Sequence, residues 1–319
     1  MAGGSNGGGV AVIVICVLVL LANFAACAYC FRNRKYLPIR ATNLPNMYLA
    51  FVSMLMTFIG AVNTATFSAS GKEWMVCALA VGWLGMAFGG LLFGATFLLR
   101  AYSNYTVFVR RTRTTGIFFL APVGFLIGLS AIYGVLAFVL PIPSGIEYVP
   151  AANTCVVHGG MYYAGMVFIL IQILLLGALL FLSRKMESCF HELRTMLIVY
   201  GVCVLCAVIL VAINHVKWGD DQLVAYGVLK ILFALIPQQA YFWSILAVPI
   251  YHSFRHADSY LHTFVERIEE RGLSQVYELI CKSPLGEISN LSDAGKSRRD
   301  TLESRQSVGS NFSGNEPAP

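Results

Sequence analysis

The chain has 319 residues, of which 57% are hydrophobic and only 12% charged. A soluble domain carries about a quarter charged residues, and this much apolar surface cannot be hidden from water in one core. A soluble enzyme or binding module is therefore excluded, and the membrane class remains. The net charge of +6 lies between apolar runs rather than on one face. That distribution reads as membrane topology and not as a nucleic-acid surface.

The chain opens with the uncharged MAGGSNGGG. A signal peptide needs a basic n-region and a cleavage site, and neither is evident. Seven apolar runs follow: Val10–Phe31, Met47–Phe67, Trp74–Leu99, Gly116–Leu140, Met161–Leu182, Met196–His215 and Leu223–Tyr251. Each reaches the ~20 residues that a helix needs to span a bilayer. Barrel strands would instead alternate over ~10 residues, and in lipid a continuous run must satisfy its own backbone. The expected fold is an all-α membrane protein, a seven-transmembrane helix bundle.

The connections set its orientation. Arg32, Arg34, Lys35 and Arg40 follow the first run, Arg100, Arg110, Arg111 and Arg113 the third, and Arg184, Lys185 and Arg194 the fifth. The alternate connections hold only Lys72 and Lys217, beside Glu73, Glu147, Asp220 and Asp221. A bias of eleven against two places the N-terminus outside and the C-terminus inside. Residues 1–9 are then a short extracellular N-terminus, 10–251 the seven-span core, 252–281 an amphipathic cytoplasmic helix and 282–319 a disordered cytoplasmic tail. The amphipathic reading rests on Leu261, Phe264, Val265 and Ile268 at helical spacing, opposite Glu266, Arg267, Glu269 and Glu270. Gly272 is expected to break that helix.

The third run is the expected organiser. Cys77 stands at its start, Gly85, Gly89, Gly90 and Gly94 run through it, and Arg100 stands at its exit from the membrane. With Gly124 and Gly128 of the fourth run, these glycines form small-xxx-small pairs. Such pairs serve close packing within the bundle or, as an alternative, a homodimer. Cys27, Cys30, Cys203 and Cys206 read as buried core thiols.

Lys230 is the one charge well inside a span, which makes it a functional-site hypothesis. Three readings stay open: contact with an anionic ligand, snorkelling to the outer surface, or a Schiff base with retinal. The last needs a carboxylate counter-ion, and the spans carry none. Asn63, Gln172, Asn214, His215, Gln238 and Gln239 can complete a polar pocket around it, although each alone also reads as a helix–helix hydrogen bond. No HExxH, GxSxG or P-loop occurs, so neither catalysis nor a cofactor or metal is expected. The sequons at Asn104, Asn290 and Asn311 fall on the inner side. In the tail, Arg298-Arg299-Asp300-Thr301 has the form of a basophilic kinase site, with Ser304, Ser307 and Ser310 as further acceptors.

The stretch Phe31–Met56 carries Arg34, Pro38, Ile39, Arg40, Ala41, Thr42 and Asn43. It resembles the first inner loop and second helix of family 3 (class C) G-protein-coupled receptors. Phe93–Phe97, FGATF, followed by a basic residue is similar to the metabotropic GABA-receptor branch of that family. The placement of Cys77 and Cys155 matches the disulfide such receptors share, so the resemblance implies that these two are bonded. It also implies an inner lock between Arg100 and Glu192; a solvated positive-inside arginine is the alternative for Arg100.

The chain departs from the family in several places. Only nine residues precede Val10, so the large extracellular lobe is not expected. The seventh-helix motif is reduced to Pro249-Ile250-Tyr251, and the rhodopsin-like D-R-Y and N-P-x-x-Y are missing. Val276–Leu285 looks like the start of the regulator-of-G-protein-signalling domain found in a fungal-type branch, but the chain ends before such a domain is complete.

The expected function is a receptor in the plasma membrane. An unknown extracellular ligand rearranges the helices, and the change is passed to a heterotrimeric G protein through Arg34, Arg40, Arg100, Arg110, Arg111 and Arg113. The alternatives are a seven-helix transporter or channel, a retinal protein using Lys230, or a membrane scaffold that works through its tail. Against transport stand the absence of an acidic residue in any span and of a visible inverted repeat.

Overall fold

The computed structural model describes residues 6–66, 77–106, 117–140, 145–149, 154–185, 192–216, 223–255 and 257–270. The chain divides into two compact units, Met1–Ala257 and Asp258–Pro319. The first unit holds α1 (Asn6–Arg32), α2 (Leu37–Ala41), α3 (Leu44–Thr66), α4 (Ala78–Asn104), α5 (Ile117–Val139), α6 (Gly159–Leu182), α7 (Glu192–His215) and α8 (Leu223–Arg255). It also holds an antiparallel hairpin of β1 (Ile146–Val149) and β2 (Thr154–Val157).

Among the described residues, six helical stretches are long and apolar enough to cross a membrane. They are Val10–Arg32, Leu44–Val62, Ala78–Asn104, Gly159–Leu182, Leu193–His215 and Ala225–Arg255. In α5 the apolar stretch Gly124–Val139 is shorter. By the length and composition of these helices the chain is a helical membrane protein.

Local chemistry explains where the early elements begin and end. Tyr36 is extended ahead of α2, and Pro38 sits in the first turn of that helix, where no N–H is required of it. Asn43 has φ 56°, the left-handed conformation that ends helices and that asparagine tolerates better than most residues. Pro45 then falls in the first turn of α3.

α4 is the most enclosed span, with 56% of its apolar window buried against 22% for α6 and α7. Its first half, Ala78–Leu91, is wound as a π-helix, and only Leu92–Asn104 is α-helical. Long π-helical runs are rare, and here neighbouring side chains meet the loosened backbone. The Ser53 hydroxyl donates to the Gly89 carbonyl at 3.0 Å, and Gln172 Nε2 donates to the Leu91 carbonyl at 2.8 Å. Glycine makes the approach possible. A Cβ on Gly60 of α3 would collide with the Gly85 backbone, and one on Gly89 would lie 2.9 Å from the Thr57 Cα.

Two sequence expectations change here. The third run continues past Leu99 to Asn104, so Arg100 lies inside a helix and not at its exit. A Cβ on Gly124 or Gly128 would meet nothing within 4 Å, so these two, unlike Gly85 and Gly89, make no close helix contact among the described residues.

Cys77 and Cys155 form a disulfide with a Cα–Cα separation of 5.7 Å, tying the start of α4 to β2. The hairpin was not legible as strands among Pro141, Pro143 and Pro150. It forms where two short β-branched and aromatic runs face each other, pairing Ile146 with Val157 and Tyr148 with Cys155. Ile146 is buried in a small cluster with Cys77, Val81, Tyr133, Ala137 and Met161. The larger apolar cluster includes Cys30, Ile39, Met47, Met54, Phe97, Ile231 and Phe242, and therefore joins α1, α2, α3, α4 and α8.

The described part of the second unit belongs to α9 (Ala257–Glu270). Val265 is buried and Leu261 and Phe264 are half-buried, whereas His262 and Glu266 are exposed. The amphipathic pattern is thus present. The tail helix expected over 252–281 is divided: 252–255 belong to α8, α9 starts at Ala257, and Gly272 and Cys281 lie outside the described residues.

Candidate functional site

Polar groups in the membrane-spanning unit gather at three levels. Each is built from Ser, Thr, Asn, Gln and Tyr side chains set into apolar helices, where a hydrogen bond is the alternative to a costly bare polar group.

The first level surrounds Arg100, which is only 6% exposed. Its Nη1 donates to the Thr42 carbonyl at 2.7 Å and lies 3.9 Å from Met47 Sδ. The left-handed turn at Asn43 follows Thr42 directly, so the guanidinium ties α4 to the turn between α2 and α3. One helical turn away, Asn46 Nδ2 donates to the Thr96 carbonyl at 3.0 Å and to Tyr241 Oη at 3.1 Å. The Tyr241 ring packs on Phe93 edge-on and on Phe97 at 4.9 Å. α7 comes close at the same end, where Asn104 Nδ2 lies 3.4 Å from Met196 Sδ. Glu192 opens α7, but its side chain lies outside the described residues.

Arg100 therefore departs from the expectation of a solvated, partner-facing arginine, because its charge is held inside. Arg34 and Arg40 are exposed, with Arg34 stacked over Phe31 at 5.1 Å. Arg110, Arg111, Arg113, Thr301, Ser304 and Ser307 lie outside the described residues.

The second level crosses the middle of the bundle. Asn23 Nδ2 donates to Gln239 Oε1 at 3.1 Å, and Gln239 Nε2 lies 3.0 Å from Met54 Sδ. Gln238 Nε2 donates to Thr57 Oγ1 at 2.8 Å, and Thr57 in turn donates to the Ser53 carbonyl. Ser53 and Gln172 then reach α4 as described, so Gln172 and Gln238 are used in joining helices. Asn23 Oδ1 and Gln238 Oε1 are buried with no partner among the described residues. Pro237 immediately precedes the two glutamines and removes one N–H from the α8 ladder.

The third level lies toward the disulfide end, where α6 and α8 begin and α7 ends. Lys230 Nζ donates to Tyr226 Oη at 3.1 Å and sits 4.7 Å over the Tyr226 ring. Tyr226 Oη donates to Asn214 Oδ1 at 2.7 Å, and Asn214 Nδ2 to the Leu210 carbonyl at 2.8 Å. Tyr162 lies beside Asn214 and Tyr226, with its ring edge-on to His215 at 6.2 Å.

Of the pocket candidates, the structure brings Lys230 and Asn214 together and leaves Gln172 and Gln238 in the middle layer. The Asn63 side chain lies outside the described residues. The sequence reading named Thr42 only as part of the family motif and did not single out Asn46, Thr57, Tyr162, Tyr226 or Tyr241. Tyr226 carried a usable signal, since it stands four residues before Lys230 on the same helical face.

Comparison of the sequence with protein-family models and with curated proteins finds no match.

Proposed function

We propose that the protein is a seven-helix receptor of the plasma membrane that transmits an extracellular stimulus to a heterotrimeric G protein. In this reading α5 is the seventh span, the disulfide end faces outward and the Arg100 end faces the cytoplasm. The observation that carries it is the buried tie from Arg100 to the Thr42 carbonyl. A charge is held inside the basic end of the bundle, on a turn whose sequence resembles the first inner loop of family 3 receptors.

A hydrogen bond from a charged group contributes about 1.5–3 kcal/mol, and each 1.4 kcal/mol is a factor of ten in an equilibrium. One such contact is enough to hold a two-state element in its resting arrangement. The middle layer supports the same reading. Its two buried acceptors, Asn23 Oδ1 and Gln238 Oε1, have no partner among the described residues, which leaves them able to accept a bond in another arrangement of the helices. Arg34 and Arg40, exposed beside the tied turn, are the docking residues for the G protein. The excess of basic residues in the connections at this end supports its cytoplasmic location.

The test is nucleotide exchange by a heterotrimeric G protein added to the chain in lipid nanodiscs. Arg100→Leu releases the turn and is expected to raise ligand-independent exchange roughly tenfold, the factor set by one charge-assisted hydrogen bond. Unchanged exchange in a folded Arg100→Leu protein would remove the tie from the mechanism. Solute flux without any exchange would favour the transporter reading.

A further inference from the structure

The cluster around Lys230 has donors without acceptors. Lys230 uses one ammonium N–H on Tyr226, and its remaining two have no acceptor among the described residues. The Tyr162 hydroxyl is buried beside Asn214, and its own proton meets no acceptor in hydrogen-bonding geometry among the described residues. The Asn214 oxygen accepts from Tyr226. The helices supply no carboxylate here. Apart from Glu192 at the first residue of α7, the helices from Asn6 to Arg255 contain no Asp or Glu.

Lys230 lies about 10 Å along α8 from Leu223 at 1.5 Å per residue, inside an apolar segment where an uncompensated charge is costly. One positive charge and one neutral O–H donor, both grouped around Tyr226 and Asn214, fit a monoanion with two acceptor oxygens. A dianionic phosphate would leave a net negative charge in the same low-dielectric surroundings.

We propose that Lys230 and Tyr162, held in place by Tyr226 and Asn214, bind the carboxylate of an acid with an apolar body. The body follows from the location. Leu210, Ile213 and Leu229 flank the polar groups along α7 and α8, and the partly exposed face of these helices is apolar. The ammonium and the phenol each donate to one carboxylate oxygen. Asn214 holds Tyr226 in line, and Tyr226 fixes the lysine through both its hydroxyl and its ring, a cation–π contact. The proposal names the ligand class for the receptor reading and rests on it for its purpose, but it is a statement about binding and is tested without a G protein.

The probe is octanoate, added to the full chain in lipid nanodiscs, with thermal unfolding as the readout. Octanol and octylamine, with the same chain length, control for partitioning into the lipid. Octanoate is expected to raise the melting temperature saturably, and the two controls are not. Lys230→Gln is expected to abolish the shift and Lys230→Arg to retain it. Tyr162→Phe, which removes only the hydroxyl, is expected to weaken octanoate about tenfold.

The proposal is overturned if octanol stabilises as well as octanoate. It is equally overturned if octanoate gives no saturable shift, as expected were a loop carboxylate already neutralising Lys230, or if Tyr162→Phe binds octanoate like the wild type. Failure here leaves ligand-independent nucleotide exchange untouched. Absence of exchange, conversely, leaves octanoate binding untouched, so the two readings fail separately.

Discussion

Arg100 shows how a single residue changes meaning between sequence and structure. Its type and its place after an apolar run are those of any positive-inside arginine. One of its partners is a backbone carbonyl fifty-eight positions earlier, and a backbone acceptor leaves no trace in residue identity. The left-handed Asn43 that presents this carbonyl was visible only as part of a motif. Arg100→Leu removes the donor and leaves the Thr42 carbonyl in an apolar setting, so thermal unfolding is expected to show a loss of about 1–3 kcal/mol. Tyr241→Phe removes the hydroxyl that accepts from Asn46 and is expected to lower stability by about 1 kcal/mol. Cys77 and Lys230 were legible because their signals are intrinsic: a cysteine at the border of a span, and a charge within one.

At the scale of elements, the glycines of α4 were legible as room for neighbours, but the π-helical winding of Ala78–Leu91 was not. Apolar periodicity does not separate an α-helix from a π-helix where every residue of the segment is apolar or glycine, as in Ala78–Leu91. The contact between α3 and α4 predicts an asymmetric response to added volume. Gly60→Leu and Gly89→Leu force side-chain atoms into facing backbone and are expected to destabilise by about 1–3 kcal/mol or more. Gly124→Ala, with open space at its Cβ, is expected to be neutral or to stabilise by up to about 1 kcal/mol through helix propensity. Equal losses at Gly60 and Gly124 in chemical denaturation would contradict the packing described. Ser53→Ala leaves the Gly89 carbonyl without its donor and is expected to cost about 1 kcal/mol. The hairpin was illegible for a different reason: strands of four residues are too short for alternation to show, and what pins them is a disulfide.

For the whole molecule, the disulfide closes a segment of 78 residues from α4 through α5 to β2. Reduction, or Cys77→Ser, is expected to lower stability by about 2–5 kcal/mol, with the loss centred on the cluster of Ile146, Tyr133 and Met161. The helical membrane class was legible from composition together with the length and continuity of the apolar runs. The bundle's internal ties were not, because each is a pair of common polar residues brought together by the fold. The receptor reading divides the molecule by end: an acid-binding cluster at Lys230, a middle layer whose Asn23 and Gln238 oxygens have no partner among the described residues, and the Arg100 tie beside exposed Arg34 and Arg40. The measurement that tests it most directly is nucleotide exchange by a heterotrimeric G protein with the wild type and with Arg34→Glu/Arg40→Glu, both in nanodiscs and both shown to be folded. The account predicts that the wild type accelerates exchange and that the charge-reversed protein does not. Exchange that is equal in the two, or no faster than with empty nanodiscs, contradicts it.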